Sequence, residues 1–184
     1  MMKVLMFAVV FVFSSSGIAF SAVQVCEKQM AFASKKHGVP LGILYAVGLT
    51  ETGYKKSLHP FALNIAGKSL FPKTENEAMQ KFHEARRRGV KLIDLGCMQI
   101  NHFYHSSKFK SVRQMLDPQK NVEYAALFLK ALYKREGSWT LAAARYHAGP
   151  NNLTAQKRYV CIVIRNMVVS GFGAWTENAR NFCK

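Results

Sequence analysis

The sequence predicts a mostly α-helical domain with a small β-hairpin, and three observations predict it. The chain has 184 residues, of which 49% are apolar, so it is long enough to bury one core. Apolar residues recur at three- and four-residue spacing through most of the chain, as they do along one face of a helix. Glycine, proline and helix-capping side chains divide these stretches into separate elements.

The first 21 residues have the layout of a secretory signal peptide. Lys3 gives a positive start, residues 4–13 are apolar without interruption, and Ala19 and Ser21 occupy the −3 and −1 positions of a cut after Ser21. We therefore expect a signal peptide over residues 1–21 and a domain over residues 22–184, exported to the periplasm or outside the cell. A buried N-terminal helix is the alternative interpretation. No apolar run approaches the ~20 residues that span a bilayer, so we expect no integral membrane span in the mature form.

Two helices come first in the predicted domain. The apolar spacing from Val23 to His37 is typical of one helix face, and Gly38 ends it. Pro40 then stands where a helix can begin without losing a hydrogen bond, and the apolar spacing continues to Glu51.

The next segment, residues 54–72, lacks helical spacing. Short apolar runs flank Ala66, Gly67 and Lys68, which predicts a small β-hairpin. Thr74 and Glu77 form a capping box that begins another helix, and Gly89 ends that helix. Residues 90–94 are short and apolar, and we expect them to be extended.

The second half of the chain is predicted to be helical. Ser111, Asp117 and Ser138 are N-cap residues, each followed by an apolar pattern of helical period. Residues 148–152 must form a loop. Residues 159–169 are ambiguous, because their valines and isoleucines favour a strand while the neighbouring elements are helices. Residues 175–183 are expected to form a short tail.

The charge of the chain indicates an anionic partner outside the cytoplasm. The net charge is +16, and cleavage of the signal peptide would remove one lysine and leave +15. In a cytoplasmic protein such a charge would indicate nucleic acid, but an exported protein meets cell-wall polymers and anionic surfaces instead. We therefore expect no nucleic-acid partner.

The cysteines and histidines show no metal-binding pattern. Cys26, Cys97, Cys161 and Cys183 all follow the cleavage site and would enter an oxidising compartment, where up to two disulfides in three pairings are open to them. His102 and His105 lack further ligands nearby and are interpreted as ordinary polar residues. We expect neither a metal nor a cofactor.

Acid/base chemistry is the catalytic option that the sequence leaves open, because the common nucleophile, phosphate-binding and zinc motifs are absent. Among ten acidic residues, Glu51 stands out because it ends a largely apolar helix. Burial and the negative end of the helix both favour a protonated carboxyl group, which a general acid needs. Asp94 is the other acid without a capping or surface role. Glu75, Glu77 and Asp117 are expected at helix caps, and the others, Glu27 among them, on solvated faces or near helix ends. The alternative for Glu51 is a surface glutamate that happens to end a helix.

Four short motifs occur in order along the chain. They are Glu51-Thr52-Gly53, Gly96-Cys97-Met98-Gln99-Ile100-Asn101, Ala144-Arg145-Tyr146-His147-Ala148-Gly149-Pro150 and Arg158-Tyr159-Val160. Together they resemble the Glu-Ser-Gly, Gly-Leu-Met-Gln-Ile-Asn, Ala-x-Tyr-Asn-Ala-Gly and Tyr-Val motifs of the soluble lytic transglycosylase (SLT) domain family. The resemblance covers roughly Cys26 to Met167 and is greatest to small exported members associated with conjugation and secretion systems. Thr52, Cys97 and His147 replace the commoner Ser, Leu and Asn, and residues 54–59 resemble a small insertion.

This resemblance implies a lysozyme-like helical fold and an enzyme that acts on peptidoglycan glycan strands. Glu51 would be the single catalytic acid/base. It would protonate the oxygen of the β-1,4 bond between N-acetylmuramic acid and N-acetylglucosamine, and then accept a proton from the muramyl C6 hydroxyl as a 1,6-anhydro ring closes. Because the nucleophile belongs to the substrate, no second carboxylate is needed. The cleavage would serve local cell-wall remodelling, with a secretion or conjugation apparatus as a further partner.

The resemblance also implies a substrate-binding groove around Glu51. The residues that it places in the groove are Asn64, Met98, Gln99, Asn101, Tyr146, His147 and Tyr159. Met98 has a core position as its alternative role, and Asn101 has a role in holding its loop together. Cys97 is interpreted as a small core residue in place of leucine.

Two other classes of function remain open at this point. The first is a muramidase that hydrolyses the same bond with water and uses Asp94 as the second carboxylate. The second is a non-catalytic cationic protein that binds the cell wall. That class explains the charge but not the set of motifs.

Overall fold

Helices form most of the computed structural model, which describes residues 24–53, 57–149 and 151–184. The helices are α1 (Val25–His37), α2 (Leu41–Thr52), α3 (Glu75–Arg87), α4 (His102–His105), α5 (Val112–Leu116), α6 (Pro118–Glu136), α7 (Trp139–Ala148), α8 (Leu153–Val169) and α9 (Glu177–Phe182). The strands are β1 (Leu63–Ile65), β2 (Lys68–Leu70), β3 (Ile93–Leu95) and β4 (Ile100–Asn101). The mostly helical fold with a hairpin is confirmed. The expected signal peptide, residues 1–21, lies outside the described residues.

Helix α2 lies at the centre of the fold. Most of its residues are buried, including Leu44, Ala46 and Val47 at 0% exposure. It contacts α1 on one side and α8 on the other, and Gly48 makes the first of these contacts close. A Cβ on Gly48 would lie 2.5 Å from the Met30 side chain, so a larger residue would push α1 and α2 apart.

The predicted hairpin is part of a larger sheet. Strands β1 and β2 pair antiparallel, with Leu63 opposite Leu70, around a turn in which Ala66 and Gly67 both have positive φ. The apolar stretch expected to be extended supplies β3, which pairs with β1, and β4 pairs with β3 in turn. The strand order is β2-β1-β3-β4. The pairing of β3 with β1 joins residues about 30 positions apart, which local patterns do not reveal.

The two faces of this sheet differ in chemistry. Leu63, Leu95 and Ile100 are cross-strand neighbours, and all three are buried in the core. Because side chains alternate along a strand, the next residues in register lie on the opposite face. That face carries a polar row in which Asn64 is opposite Asp94, and Asp94 is opposite Asn101.

Helix caps confirm most of the predicted boundaries. Thr74 accepts a hydrogen bond from the Glu77 amide at 3.2 Å, and Asp117 accepts one from the Lys120 amide at 2.8 Å. Ser138 caps α7 in the same way. Each cap satisfies a backbone donor that the first helical turn leaves without a partner.

Residues 159–169 form the second half of α8, which resolves the ambiguity between strand and helix. Tyr159, Val160 and Val163 are buried on one face, and α8 packs against α2 and α7. Burial against two helices outweighs the strand preference of the β-branched residues, which is worth only fractions of a kcal/mol each. The expected tail contains one more short helix, α9.

Two disulfides join segments that are far apart in the chain. Cys26 of α1 bonds Cys97 in the loop between β3 and β4, and Cys161 of α8 bonds Cys183 at the end of α9. Cys97 lies in the core as interpreted from the sequence, and it takes part in one of the two disulfides that the sequence left open. The residue is fully buried, but it also bonds α1 to the sheet.

Glu27 lies in the first turn of α1, near a helix end as predicted, but it is only partly exposed. Its Oε2 atom is buried and has no hydrogen-bond partner among the described residues. Burial raises the pKa of the Glu27 carboxyl, and backbone amides, including that of Leu58, partly offset this rise. Helical spacing does not reveal this burial, because Leu58 belongs to a segment outside the helix.

In the described part of the chain, no helix has the length and apolar character needed to cross a membrane.

Candidate active site

Glu51 lies at the C-terminal end of α2, with 15% of its side chain exposed. The next residue, Thr52, is buried, and its hydroxyl donates to the carbonyls of Gly48 at 3.1 Å and Cys97 at 3.2 Å. These bonds attach the end of α2 to the loop between β3 and β4. The carboxyl group of Glu51 therefore has a fixed position between the helices and the sheet.

Helix α8 supplies the nearest partner of this carboxyl group. The Tyr159 hydroxyl donates to Glu51 Oε1 at 2.7 Å, and the tyrosine is 3% exposed. Asn166, two turns further along α8, donates to the Thr50 hydroxyl at 2.9 Å and fixes α8 against α2. The burial of Tyr159 and the charge of Glu51 raise the pKa of this phenol well above its usual value. The phenol is therefore a hydrogen-bond donor throughout the physiological pH range.

Helix α7 supplies the second partner. His147 Nδ1 lies 3.6 Å from Glu51 Oε1, and the imidazole stacks on the Tyr159 ring at a centroid distance of 4.3 Å and an angle of 7°. The carboxyl group of Glu51 raises the pKa of His147, with a smaller contribution from the charge of Asp94 and an opposing contribution from burial. Gln156 of α8 donates to the carbonyls of Ala148 and Gly149, which holds the end of α7 in place.

The loop from Gly96 to Gln99 forms the floor between the sheet and α2. Asn121 of α6, which is fully buried, organises it by accepting from the Met98 amide at 2.8 Å and donating to the carbonyls of Leu95 and Met115, each at 2.8 Å. A Cβ on Gly96 would lie 2.6 Å from the Asn121 side chain, and Gly96 has a φ of 78°. Both facts require glycine there.

Sequence reasoning missed Asn121. It stands beside Val122 in the apolar stripe of α6, and a single polar residue in such a stripe is the signal that could have revealed it.

Met98 and Tyr146 pack beneath the cleft. The Met98 side chain is 0% exposed and lies in the core, so the expectation that it contacts substrate is corrected. Its carbonyl accepts a hydrogen bond from the Tyr146 hydroxyl at 2.7 Å. Tyr146 therefore positions the loop beneath Glu51, whereas Tyr159 contacts the Glu51 carboxyl group directly.

Gln99 is partly buried and adopts a left-handed backbone with a φ of 47°. Its side-chain amide donates to the carbonyls of Ala62 at 3.1 Å and Gly96 at 3.0 Å. A non-glycine residue in this conformation is uncommon and is held by its surroundings. Here these two bonds supply the constraint.

The polar row of the sheet is bonded within itself. Asn101 donates to Asp94 Oδ1 at 2.7 Å and accepts from the Phe103 amide at 3.0 Å, while Asn64 accepts from the Gly67 amide at 2.9 Å. Asn101 thus holds its loop, and Asn64 holds the hairpin turn. Burial raises the pKa of Asp94, the Asn101 bond lowers it, and the charge of Glu51 raises it further. Asp94 therefore lies within electrostatic reach of Glu51, and its hydrogen-bond donor is the Asn101 side chain.

A cleft with a volume of about 410 Å³ opens beside Glu51. Its lining includes His147 and Tyr159 together with Asn152, Arg158 and Ile162. The site thus combines a shielded carboxyl group with a neutral phenol donor and an imidazole in an open cleft. This combination suits a proton transfer to and from a bound polar ligand. Among the described residues, no group of three or more histidine, cysteine or acidic side chains is arranged to hold a metal ion.

Comparison with models of known protein families identifies the family of this chain. The family model described as Transglycosylase SLT domain matches residues 28–163, well over half of the chain. The chain belongs to the SLT transglycosylase domain family. The matched region contains Glu51, His147 and Tyr159, and it ends within α8. SLT domains act on peptidoglycan, so membership of the family implies a peptidoglycan substrate. Neither a curated protein nor a solved structure gave a match to this chain.

Proposed function

We propose that this SLT-domain protein is a peptidoglycan lytic transglycosylase in which Glu51 is the single catalytic acid/base. The observation that carries the proposal is the carboxyl group of Glu51, which is 15% exposed at the end of a buried helix and oriented by the Tyr159 hydroxyl at 2.7 Å. Glu51 also lines an open cleft, which supports binding of a glycan strand beside it.

The proposed reaction uses one carboxyl group twice. Protonated Glu51 donates its proton to the oxygen that bridges N-acetylmuramic acid and N-acetylglucosamine, and the bond from that oxygen to muramyl C1 breaks. The C6 hydroxyl oxygen of the same sugar then bonds to C1, and its proton passes to the Glu51 carboxylate. The acid is restored, no water is consumed, and the product carries a 1,6-anhydro ring.

Neighbouring groups support the two proton transfers. The Tyr159 phenol donates to Oε1, so it fixes the orientation of the carboxyl group in both of its protonation states. His147 contacts the same oxygen from the open side of the cleft, where its side chain is 46% exposed. We propose that His147 and Gln99 contact the glycan, and that Asn64, Asn101 and Tyr146 shape the groove through the bonds described above.

A muramidase is the second candidate, because Asp94 of β3 lies within electrostatic reach of Glu51. As a nucleophile or base, Asp94 would have to be ionised, and its burial opposes ionisation. One of its oxygens is also already bonded to Asn101. Both observations favour the transglycosylase.

The test of the proposed function is the release of muropeptides from purified sacculi by the mature protein. Glu51→Gln keeps the size of the side chain and its acceptor but carries no transferable acid proton, so turnover should fall by at least ~100-fold. Glu84→Gln, a partly buried glutamate of α3, is the matched control and should keep full activity. Activity in Glu51→Gln equal to that of the control would refute both the transglycosylase and the muramidase.

We further propose that the enzyme acts outside the cytoplasm after removal of residues 1–21, for local cell-wall remodelling alongside a secretion or conjugation apparatus. The signal-peptide pattern and the peptidoglycan substrate support this. N-terminal sequencing of protein from its native host should give a start near Ala22. An intact Met1 in a cytoplasmic pool would contradict it.

A further inference from the structure

A second groove lies beside the cleft and has a volume of about 530 Å³. It runs along one face of α8 and ends at the Cys161–Cys183 disulfide, which holds the end of α9 against α8. We call it the α8–α9 groove. It is lined by Leu153, Lys157, Arg158, Cys161, Arg165 and Cys183, together with Thr154 and Ile162.

The α8–α9 groove is continuous with the cleft that contains Glu51. Thr154, Arg158 and Ile162 line both of them. A ligand bound beside Glu51 therefore needs only a side branch to reach the α8–α9 groove. Any ligand proposed for this groove should be attached to the glycan.

The chemistry of the α8–α9 groove is cationic and partly apolar. Lys157, Arg158 and Arg165 are exposed, and the lining contains no acidic residue. Among the described residues, these three cations form no ion pair, and the Lys157 ammonium lies 5.7 Å from the centroid of the Phe182 ring. Leu153, which is 73% exposed, adds an apolar surface at one end. The groove thus offers charged donors for carboxylates and apolar surface for small aliphatic groups.

We propose that the α8–α9 groove binds the stem peptide of peptidoglycan through its carboxylates while the glycan strand occupies the cleft. This inference rests on the proposed function. In a strand that carries peptides, the sugars have no charge, because the lactyl carboxyl group of N-acetylmuramic acid is used in the amide bond to the peptide. The peptide itself carries carboxylates and small aliphatic side chains. A muramyl unit positioned for cleavage beside Glu51 would direct its peptide along α8 toward Arg158, Lys157 and Arg165.

The binding experiment uses the full mature chain carrying Glu51→Gln, so that no ligand is consumed. Two ligands are compared by titration calorimetry: the disaccharide with its tetrapeptide, and the same disaccharide without peptide, its lactyl carboxyl group blocked as the methylamide so that it carries no charge. The peptide-bearing ligand should bind more tightly. Adding Lys157→Gln and Arg165→Gln should weaken its binding by about threefold to tenfold and leave the peptide-free ligand unchanged.

The matched control removes the same charge elsewhere. Arg87→Gln with Arg88→Gln neutralises two exposed cations at the end of α3 and should leave the affinities for both ligands unchanged. Equal affinity of the parent protein for the two ligands would overturn the inference. The inference would also be overturned if both pairs of substitutions weakened binding of the peptide-bearing ligand equally, because the ligand would then be attracted by net charge alone.

A failure of this inference can be distinguished from a failure of the proposed function, because ligand binding to the Glu51→Gln protein does not depend on turnover. In the protein with Glu51 intact, the Lys157→Gln and Arg165→Gln pair should lower kcat/KM on intact sacculi. It should not do so on glycan strands that are stripped of peptide by an amidase and then blocked as methylamides at the lactyl carboxylates this exposes. An equal loss on both substrates would show that these cations contact sugar and would overturn the assignment.

Discussion

The helices and the sheet near Glu51 differ in how their polar groups are used. On α7 and α8, which we call the helical wall, His147 and Tyr159 are directed at Glu51, at 3.6 Å and 2.7 Å from its Oε1 atom. On β1, β3 and β4, which we call the sheet wall, Asp94 and Asn101 are bonded to each other at 2.7 Å, and Asn64 is bonded to the hairpin turn. The polar groups of the helical wall therefore act on the carboxyl group, whereas those of the sheet wall are bonded within the sheet. Changes to the two walls should have different consequences.

The largest effect should come from separating the sheet wall from the helices. Cys26–Cys97 closes a segment of 71 residues and Cys161–Cys183 one of 22. In the chain-entropy account, replacing the first pair by serine should lower the free energy of unfolding by about 4 kcal/mol, and replacing the second by about 3 kcal/mol. Urea unfolding measures both. A larger loss from the Cys161–Cys183 pair would show that the sheet wall does not depend on α1.

The second-largest effect is expected on turnover, when the hydroxyl of Tyr159 on the helical wall is removed, with Tyr146 on the same wall for comparison. Tyr159→Phe removes a direct donor to Glu51, which becomes a carboxylate as it gives up its proton. A hydrogen bond to a charged group is worth about 1.5–3 kcal/mol, so turnover should fall by about tenfold or more. Tyr146→Phe removes a bond to the Met98 carbonyl and should have a smaller effect on turnover, because it acts through the loop. Initial rates of muropeptide release decide between them. Equal losses would mean that Tyr159 also acts only on structure.

The third effect is a pH dependence on the same wall. Because Glu51 raises the pKa of His147 in the folded protein, their pairing stabilises the fold fully below the ordinary histidine pKa of about 6.5. That contribution is lost as the pH rises through the higher value of the folded state. The melting temperature of His147→Asn should therefore lie below that of the wild type at about pH 6, and the two should converge at about pH 9.

The control for this pH effect is His83→Asn, an exposed histidine of α3. Its melting temperature should follow that of the wild type across the same range. A His147→Asn difference that grows toward alkaline pH would contradict the ion pair, because the sign of the linkage would be reversed.

The smallest effect should follow from changing the sheet wall alone. Asp94→Asn keeps the acceptor for Asn101 and removes a carboxyl group whose pKa is raised by burial, so the variant should be at least as stable as the wild type at neutral pH. Activity should stay within about threefold, because the substrate hydroxyl takes the place of a second carboxylate. A loss of ~100-fold or more would assign Asp94 a catalytic role and favour the muramidase.

Local chemistry made most of the fold predictable. Thr74, Asp117 and Ser138 correctly predicted where their helices begin, because a cap residue satisfies backbone donors within the same turn. The apolar runs on either side of Ala66 and Gly67 correctly predicted the hairpin, and both residues have positive φ in its turn. The motifs then indicated which residues to examine at the candidate site, and the structure brings Glu51, His147 and Tyr159 together.

What sequence patterns missed depends on contacts between distant segments. The pairing of β3 with β1 and the disulfide partners of Cys97 and Cys161 are set by the folded arrangement. The same is true of Glu27, which is buried by a segment outside its own helix, and of Asn121, which organises a loop from a different element. The strand preference in α8 was outweighed for the same reason, since local preference is weak beside burial against two helices.

The most direct test of the central claim is digestion of sacculi by the wild-type protein in heavy-oxygen water, with mass spectrometry of the released muropeptides. If Glu51 is the sole acid/base and the substrate supplies its own nucleophile, the products will carry 1,6-anhydromuramyl ends, lighter by one water than hydrolytic ends and free of heavy oxygen. Reducing ends that carry one heavy oxygen would show that water attacks the sugar. That result would contradict the transglycosylase mechanism.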